Sequence, residues 1–527
     1  MARSLSSVDT AWLRMERPTN PMMVNGVLAF ETPIDFDRFK ATIEHRMLRF
    51  DRFRQRIVPS TRPLGAPHWE EVRDLDFDYH FQRMSLPPPG SQAQLQSVAS
   101  RLMSTQLDLS RPLWQFTVVD NYEGGSAVIG RMHHCIADGI ALIYLIFSLT
   151  DREPDAPWPT PEPRADRPRR VPVWTPVVST YRATSRAAGT LWHEGTELLV
   201  HPSRVLDLAR LGVDGAAALA RLVLRWPDPR TLFKGELGEE KVAVWSGPIS
   251  LADTKEIGRG LGATVNDVLL AAVSGALRCY AQGRGENVDG VSIRGIIPVN
   301  LRAPGREFEL GNKFGLVFLS LPIGLPDPRQ RLRRVKQGMD AIKHTPEAAV
   351  AFGILTAMGR ATSPIQDLVV TIFGTKGTAV MTNVPGPREQ LYLAGAPLSA
   401  VIGWVPQSGS LGMGVSIISY NGQVRLGVAA DKNLVPDPET IVALYQDEFD
   451  AMLALARTRR AAPMLATLDD ALARLDAILD AERAPAQAAA ETMGGPARCQ
   501  ALTKAGLPCK NAALPGSRTC RVHQAIA

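Results

Sequence analysis

The sequence predicts a mixed α/β (α+β) protein built from two subdomains, and three observations support this fold class. A chain of 527 residues is too long for one ordinary hydrophobic core, so two domains with connecting segments are expected. Its composition, 45% apolar and 21% charged, is that of a folded globular protein. Finally, two segments that mix helix and strand patterns, 1–153 and 241–460, flank a proline-rich and helical linker at 154–240.

The first segment combines helices and strands. Apolar residues at helical spacing predict helices over 35–54 and 92–107, and β-rich runs predict strands over 115–120 and 126–134. A further apolar face predicts a helix over 137–150. We therefore expect the chain to pass from the end of a strand directly into a helix, at a place where side chains can project into a cleft.

The second segment repeats this mixture. Its pattern predicts a helix over 264–280, strands over 291–299 and 316–321, and a strand-rich stretch over 378–428. Beyond this segment, leucines at alternating three- and four-residue steps predict an amphipathic helix over 461–483, suited to packing on the body or on another helix.

The sequence predicts neither a secretory signal nor a clear membrane span. Asp9 and Glu16 interrupt the N-terminal run, unlike a signal peptide. The uncharged stretch 401–420 is the strongest candidate for a spanning helix, but Pro406, four glycines and a β-rich end favour a buried strand and turn. The net charge of +6 permits attraction to anionic lipid or to an anionic substrate without requiring it. We expect a cytoplasmic protein, or one bound peripherally to a membrane.

The most informative motif is the run from His133 to Gly139, which reads His-His-Cys-Ile-Ala-Asp-Gly. A neutral imidazole can take a proton from a hydroxyl and later return it to a leaving group. Adjacent residues on a strand point to opposite faces, so at least one of His133 and His134 is expected to be structural, and a buried role for both stays open. Asp138 could cap the next helix, pair with an arginine or hold a neighbouring ring, and Gly139 allows a sharp turn.

Three further segments accompany the histidine motif. Pro112-Leu113-Trp114 precedes it, Asn266-Asp267 lies in the second segment, and the run Asn383-Val384-Pro385-Gly386-Pro387 follows. With these motifs the chain resembles the bacterial wax ester synthase/diacylglycerol acyltransferase family, within the superfamily of CoA-dependent acyltransferases, to about residue 460. The histidine motif alone marks the superfamily, and the other segments are typical of this branch.

The resemblance implies two chloramphenicol-acetyltransferase-like subdomains, a helical linker, and a tunnel between them that takes acyl-CoA from one side and an alcohol from the other. It implies that His134 is the general base, so that the acceptor oxygen attacks the thioester directly without an acyl-enzyme. His133 would then support it, and Asp138 would be structural, paired with an arginine for which Arg302 is the candidate. Catalysis would need no cofactor, because acyl-CoA is a substrate.

The other motif residues have less certain roles. Asn266 could stabilise the developing oxyanion, or its segment could simply cap the following helix, and the two roles are compatible. Trp114 is expected to be a packing anchor, or else to line the acyl tunnel. By resemblance Pro112, Gly139 and Asp267 are placed with Trp114 near the substrate.

The basic tail at 484–527 carries a separate pattern. Cys499, Cys509, Cys520 and His523 form a complete set of tetrahedral zinc ligands with no open position, which predicts a structural zinc module. The long gaps between the cysteines weaken this match, and a disordered tail with incidental thiols is the alternative.

We expect the protein to transfer a long-chain fatty acyl group from acyl-CoA to diacylglycerol, giving triacylglycerol, and to long-chain alcohols, giving wax esters. One alternative is an acyltransferase for a polyketide or glycolipid hydroxyl. Another is a non-catalytic binding protein that uses its basic, zinc-like tail. The expected partners are acyl-CoA, the lipid acceptor, and the surface of a membrane or lipid inclusion, whereas nucleic acid is not expected.

Overall fold

The computed structural model describes residues 3–60, 65–160, 222, 224–303, 309–343, 345–458 and 497–524. The chain divides into two compact units, Met1–Ala456 and Arg457–Ala527. Three predicted features lie largely or wholly outside the described residues: most of the linker at 154–240, the amphipathic helix at 461–483, and the first part of the tail.

The described part of the first unit contains three sheets. The strands are β1 (Arg3–Ser4), β2 (Met23–Phe30), β3 (Gln55–Val58), β4 (His68–Glu71), β5 (Phe81–Ser85), β6 (Trp114–Tyr122), β7 (Gly125–His133), β8 (Lys241–Trp245), β9 (Ile249–Ser250), β10 (Ile293–Asn300), β11 (Phe314–Leu321), β12 (Ala379–Pro385), β13 (Tyr392–Leu393), β14 (Ala396–Trp404), β15 (Met413–Tyr420) and β16 (Gln423–Asp431). A six-stranded sheet has the order β13-β14-β2-β7-β6-β5, a seven-stranded sheet has the order β11-β10-β12-β15-β16-β8 with β9 beside β16, and β1-β4-β3 form a small third sheet.

Helices surround these sheets. They are α1 (Ser7–Arg14), α2 (Phe36–Thr42), α3 (Phe77–His80), α4 (Gln92–Met103), α5 (Gly139–Leu149), α6 (Leu251–Leu261), α7 (Val265–Gly283), α8 (Pro328–Lys343), α9 (Glu347–Met358), α10 (Ser363–Thr375), α11 (438–458) and, in the second unit, α12 (Arg521–Gln524). The single helix predicted over 35–54 is instead α2 followed by a π-helical turn at Ile43–Met47 and a 3-10 turn at Asp51–Phe53.

Strand β14 joins the two halves of the chain. It comes from the second predicted segment, 241–460, yet it pairs antiparallel with β2 of the first, Gly403 lying opposite Gly26. Residues 392–404 therefore belong to the first sheet, because β13 pairs with β14 at its edge. The two halves consequently share backbone hydrogen bonds as well as side-chain packing.

The uncharged stretch 401–420 is β-structure and turn, as predicted: β14 ends at Trp404 and β15 begins at Met413. Among the described residues, no single helix has both the length and the apolar character needed to cross a membrane. Among these residues, α6 and α7 taken together have the length and composition of a membrane span, but they are bent by 93° at the break between them.

Candidate active site

The histidine motif lies where its sequence predicts it, between a strand and a helix. Strand β7 ends at His133, and α5 begins at Gly139. Asp138 is the N-cap of α5, because its Oδ1 accepts the amide hydrogen of Ala141 at 3.0 Å. Such a bond satisfies one of the otherwise unpaired amides of a helix N-terminus. The intervening turn thus has a fixed geometry.

The two histidines have different surroundings. His133 is buried, and its Nε2 lies 3.0 Å from Oε2 of Glu16, while its Nδ1 accepts the amide hydrogen of Cys135 at 3.1 Å. Burial lowers the pKa of His133, whereas the Cys135 thiol and the Glu16 carboxylate outweigh it and raise the pKa above its ordinary value. Nε2 therefore carries a proton that faces the Glu16 carboxylate.

The ring of His134 lies against Trp12, with 4.0 Å between centroids and 26° between planes, and its centroid is 5.7 Å from that of Phe314. Its Nδ1 is shielded and has no hydrogen-bond partner among the described residues. Burial lowers the pKa of His134 to about 4, although the charge of Asp138 acts in the opposite direction. The imidazole is therefore neutral at pH 7.

The backbone of His134 is held on both sides. Its amide donates to the carbonyl of Met22 at 2.8 Å, and its carbonyl accepts from Nδ2 of Asn312 at 2.8 Å. Glu16 fixes the first contact, because its Oε2 accepts the amide of Met22 at 2.7 Å as well as facing His133. Asp9 fixes the second, because its Oδ1 accepts from Asn312 at 2.8 Å. One segment near the N-terminus thus positions both sides of the histidine backbone.

Asp138 also forms the predicted ion pair with Arg302, at 2.7 Å between Oδ2 and Nη1. Both side chains are buried. The same carboxylate oxygen accepts the amide of Lys313 at 3.0 Å, and Arg302 also donates to the carbonyls of Glu309 and Gly311. We call this set the aspartate clamp. It ties the start of α5 to the segment before β11, and so links the two halves of the chain beside His134.

A large cavity opens next to the histidine. It contains about 1800 Å³ of space between atoms, part of it continuous with solvent. His134, Asp138 and Gly139 line it together with side chains from both halves, and most of its wall is apolar. Representative apolar lining residues are Phe116, Leu142, Ile146, Phe318, Leu355 and Phe373. A long hydrocarbon chain would be more stable in such a cavity than in water, because its burial removes apolar surface from the solvent.

The Asn266-Asp267 segment caps α7. The Thr264 hydroxyl accepts the amide of Asp267 at 3.2 Å, and the Asp267 carboxylate accepts the amide of Thr264 at 2.9 Å, a reciprocal capping box. Oδ1 of Asn266 accepts from Nδ2 of Asn383 at 2.9 Å. Asn383 lines the cavity, whereas Asn266 and Asp267 are not among its lining residues. The capping interpretation is therefore the one with direct geometric support.

The Pro112-Leu113-Trp114 segment packs in the core. Trp114 is fully buried, donates from Nε1 to the carbonyl of Phe53 at 2.8 Å and stacks on His80 at 4.1 Å. Neither Pro112 nor Trp114 is among the residues that line the cavity in the described chain, so the suggestion that Trp114 lines an acyl tunnel is not supported. Gly139 does line it, and a Cβ there would lie 3.0 Å from Val405, which favours glycine.

In the second unit the four predicted zinc ligands converge. The Nδ1 of His523 lies 3.6 Å from Sγ of Cys499 and 3.3 Å from Sγ of Cys520. The sulfurs of Cys509 and Cys520 are 3.8 Å apart, and all four ligand atoms lie within 4.8 Å of one another. The three cysteines are buried and unpaired by disulfides.

Several site residues were not predicted as such. Trp12, Glu16, Asn312 and Asn383 contact or surround the histidine site. Asn383 stands in the Asn383-Val384-Pro385-Gly386-Pro387 segment that the resemblance picks out, so motif membership was the available signal for this residue. Asn312 lies in an irregular connection with no pattern of its own, and only the fold brings it to His134.

Solved structures share this architecture. The wax ester synthase/diacylglycerol acyltransferase from Marinobacter aquaeolei VT8 is similar with a TM-score of 0.60 and 22% identity, over 86% of this chain and 99% of that one. The first condensation domain of the calcium-dependent antibiotic synthetase is similar with a TM-score of 0.55 and 15% identity, over 86% and 96%. The fold is therefore the two-subdomain, chloramphenicol-acetyltransferase-like one that the sequence resemblance implied.

Sequence comparison then identifies the family. Residues 5–269 match the wax ester synthase/diacylglycerol acyltransferase catalytic domain, and residues 310–453 match the WS/DGAT C-terminal domain. The chain belongs to the wax ester synthase/diacylglycerol acyltransferase family and is an acyltransferase.

Two relatives illustrate the range of sequences to which the chain is similar. A Mycobacterium tuberculosis (strain CDC 1551) protein that carries the name of a diacylglycerol O-acyltransferase is 27% identical over 465 residues, which cover 82% of this chain and 86% of that protein. The O-acyltransferase WSD of Acinetobacter baylyi is 24% identical over 467 residues, which cover 86% and 98%. Both family matches end before residue 497, so the described tail lies beyond them.

Proposed function

We propose that the protein transfers a long-chain fatty acyl group from acyl-CoA to diacylglycerol, and to long-chain alcohols as a second class of acceptor. The observation that carries this proposal is the position of His134, a neutral buried imidazole in the wall of a large apolar cavity. The names of the relatives support the reaction class, because they include diacylglycerol O-acyltransferase and wax ester synthase.

In the proposed reaction His134 is the general base. Nδ1 is shielded, so Nε2 is the nitrogen available to an acceptor hydroxyl in the cavity. As Nε2 takes the proton, the acceptor oxygen attacks the thioester carbonyl, an ester C–O bond forms and the C–S bond breaks. The imidazolium then returns the proton to the sulfur of CoA, which leaves as a thiol. No acyl-enzyme and no resident cofactor take part in this step.

The surroundings of His134 suit this role. A pKa of about 4 keeps the ring unprotonated at neutral pH, so its lone pair is available whenever an acceptor binds. The nearby Asp138 carboxylate stabilises the imidazolium that forms during transfer, because opposite charges attract strongly in a poorly solvated site. Trp12 fixes the plane of the ring. In this proposal His133, the aspartate clamp and the Asn266–Asn383 pair position the site and do not touch the reacting atoms.

The test uses purified protein and its His134→Ala variant with labelled palmitoyl-CoA and either dioleoylglycerol or hexadecanol. We expect wild type to form labelled ester with dioleoylglycerol, and the variant to lose roughly 10² to 10⁴-fold in rate, the usual contribution of a general base. If wild type forms ester with neither acceptor, the proposed function is wrong. If the variant keeps full activity, the assignment of the base is wrong although the function stands.

We also propose that the C-terminal unit holds a structural zinc ion on Cys499, Cys509, Cys520 and His523. With metal–ligand distances of about 2.3 Å for sulfur and about 2.0 Å for nitrogen, a tetrahedral site places sulfurs about 3.8 Å apart and sulfur and nitrogen about 3.5 Å apart. The distances of 3.8, 3.6 and 3.3 Å among these atoms agree with that geometry. A disulfide between Cys509 and Cys520 would need their sulfurs about 2.05 Å apart.

Metal analysis of the full-length protein tests this proposal. We expect close to one zinc per chain in wild type, and zinc lost in a Cys509→Ser/Cys520→Ser double variant. Cys279→Ser is the matched control, because Cys279 is a free cysteine of the first unit. An unchanged zinc content in the double variant, or a wild type without zinc after purification free of chelators, contradicts the proposal.

A further inference from the structure

Helix α10 exposes an apolar stripe. Ile365, Leu368 and Ile372 are 55%, 59% and 37% exposed, and their spacing of three and four residues places them on one face of the helix. Isolated apolar residues on a surface need no explanation, but three on the same face of one helix form a contiguous patch. Such patches usually mark a surface that contacts another molecule or a membrane.

The opposite face of the same helix forms part of the cavity wall. Val369, Val370, Phe373 and Gly374 line the cavity beside His134. Successive residues turn by about 100° around an α-helix, which puts the centre of this group about 140° from the centre of the exposed stripe. Helix α10 therefore separates the cavity from the surroundings by the thickness of one helix, with apolar side chains on both sides.

Arginines surround the N-terminal end of α10. Arg17 is exposed and pairs with Asp367 of the helix at 2.5 Å. Arg14 donates to the carbonyl of Ala361 at 3.0 Å, and Arg360 is exposed and donates to Ser7 at 3.2 Å. An apolar stripe bordered by arginines is the arrangement of helices that lie in the interface of an anionic membrane, where the stripe enters the acyl region and the cations meet the headgroups.

We propose that α10 docks onto an anionic lipid surface through Ile365, Leu368 and Ile372, so that the cavity lies directly beside the lipid that supplies the acceptor. This proposal rests on the proposed function for its choice of occupant, since diacylglycerol and long-chain alcohols reside in membranes and lipid inclusions. A second copy of the chain fits the surface less well. Arg14, Arg17 and Arg360 beside the stripe match anionic headgroups, whereas a second copy would offer the same cationic surface.

Vesicle flotation with the full-length protein tests the docking. The probes are vesicles of phosphatidylcholine alone and of phosphatidylcholine with phosphatidylglycerol. We expect wild type to float with both and more strongly with the anionic vesicles, and we expect an Ile365→Gln/Leu368→Gln variant to bind the anionic vesicles about tenfold more weakly. The control is Leu109→Gln/Trp158→Gln, because these side chains are 49% and 51% exposed and lie outside α10. It should float like wild type.

An activity measurement separates docking from chemistry. With dioleoylglycerol embedded in vesicles, the α10 variant should lose most of its rate, while with butanol in solution it should match wild type. A variant that floats like wild type overturns the proposal. So does a concentration-dependent dimer of wild type that the α10 substitutions abolish. If wild type docks through α10 but acylates no acceptor, the proposed function fails and the docking stands.

Discussion

Two candidate sites among the described residues each depend on a histidine, and they differ in how many partners that histidine has. His134 in the first unit has a shielded Nδ1 without a hydrogen-bond partner among the described residues and a ring that lines a large cavity. His523 in the second unit has its Nδ1 within 3.6 Å of two cysteine sulfurs. A third sulfur, that of Cys509, completes the second group.

This difference separates a site that can act on a substrate from one that can hold an ion permanently. A general base needs a free lone pair and room for a transient partner, and the fold provides this by fixing the backbone of His134 and leaving its ring uncommitted. A structural metal site needs the reverse, four donors that saturate the coordination sphere. The same residue type therefore serves opposite purposes, and its neighbours decide which one.

The strongest test of this comparison is a reciprocal pair of substitutions. His134→Ala should lower kcat by roughly 10² to 10⁴-fold and leave the zinc content unchanged, because a base is lost and the second unit is untouched. His523→Ala should reduce zinc binding while kcat stays near that of wild type, because the cavity is lined by residues of the first unit. Labelled-ester formation and metal analysis measure the two effects.

Circular dichroism controls for misfolding of either variant. The comparison fails if His523→Ala lowers kcat as much as His134→Ala does, since the two sites would then be coupled. It also fails if His134→Ala releases zinc.

The second prediction concerns the aspartate clamp. Asp138→Asn leaves Arg302 buried without its partner charge, and breaking a buried pair in this way typically costs about 3–5 kcal/mol of unfolding free energy. The matched control is Glu309→Gln, which breaks the exposed Lys313–Glu309 pair of the same region and should cost less than about 1 kcal/mol. Urea denaturation measures both, and equal losses would mean that the clamp is no more than a surface ion pair.

Much of this site could be predicted from local sequence. The strand-to-helix position of the histidine motif, the different surroundings of His133 and His134, and the capping of α7 each depend on a few neighbouring residues. The Asp138–Arg302 pair was predicted too, but from the resemblance to the acyltransferase family and not from neighbouring residues. The first three features follow from short-range rules of strand alternation and helix capping.

The other features of the fold and the site depend on contacts between distant segments. Such contacts leave no periodic pattern in the sequence. Strand β14 pairs with β2 although the paired residues Gly403 and Gly26 are 377 positions apart in the sequence. Side chains along β14 alternate between the two faces of a sheet whichever sheet the strand joins. The sequence pattern of β14 therefore does not reveal its partner strand. Asn312 and Glu16 likewise reach the histidines only through the folded chain. Trp114 was expected to be a packing anchor or else to line the acyl tunnel, and the fold places it in the core.

A third prediction follows from the low pKa of His134. In the unfolded chain this histidine has its ordinary pKa of 6.5, whereas in the folded protein burial lowers the pKa to about 4. Between these values only the unfolded chain binds the proton, so the unfolding free energy is complete above pH 6.5 and falls as the pH is lowered towards 4. One pKa unit corresponds to about 1.4 kcal/mol.

Denaturation at a series of pH values measures this loss. The His134→Gln variant cannot be protonated, and its stability should therefore decline less steeply than that of wild type between pH 6.5 and 4. The activity of wild type should stay level down to about pH 5 and fall tenfold per unit below pH 4. Identical slopes for the two proteins would show that His134 is not held neutral by burial.

The smallest predicted effect is that of Glu16, which acts on His134 only through other groups. Its carboxylate accepts the amide of Met22, whose carbonyl accepts the amide of His134, and it also faces His133. Glu16→Gln keeps the shape but weakens both contacts, because hydrogen bonds to a charged acceptor are roughly twice as strong as neutral ones. We expect kcat to fall by about threefold to tenfold with KM nearly unchanged, since the cavity that binds the substrate stays intact. Glu44→Gln, an exposed change in the same half of the chain, should alter neither constant. A rise in KM at constant kcat would assign Glu16 to substrate binding, and the positioning role of the N-terminal segment would then be wrong.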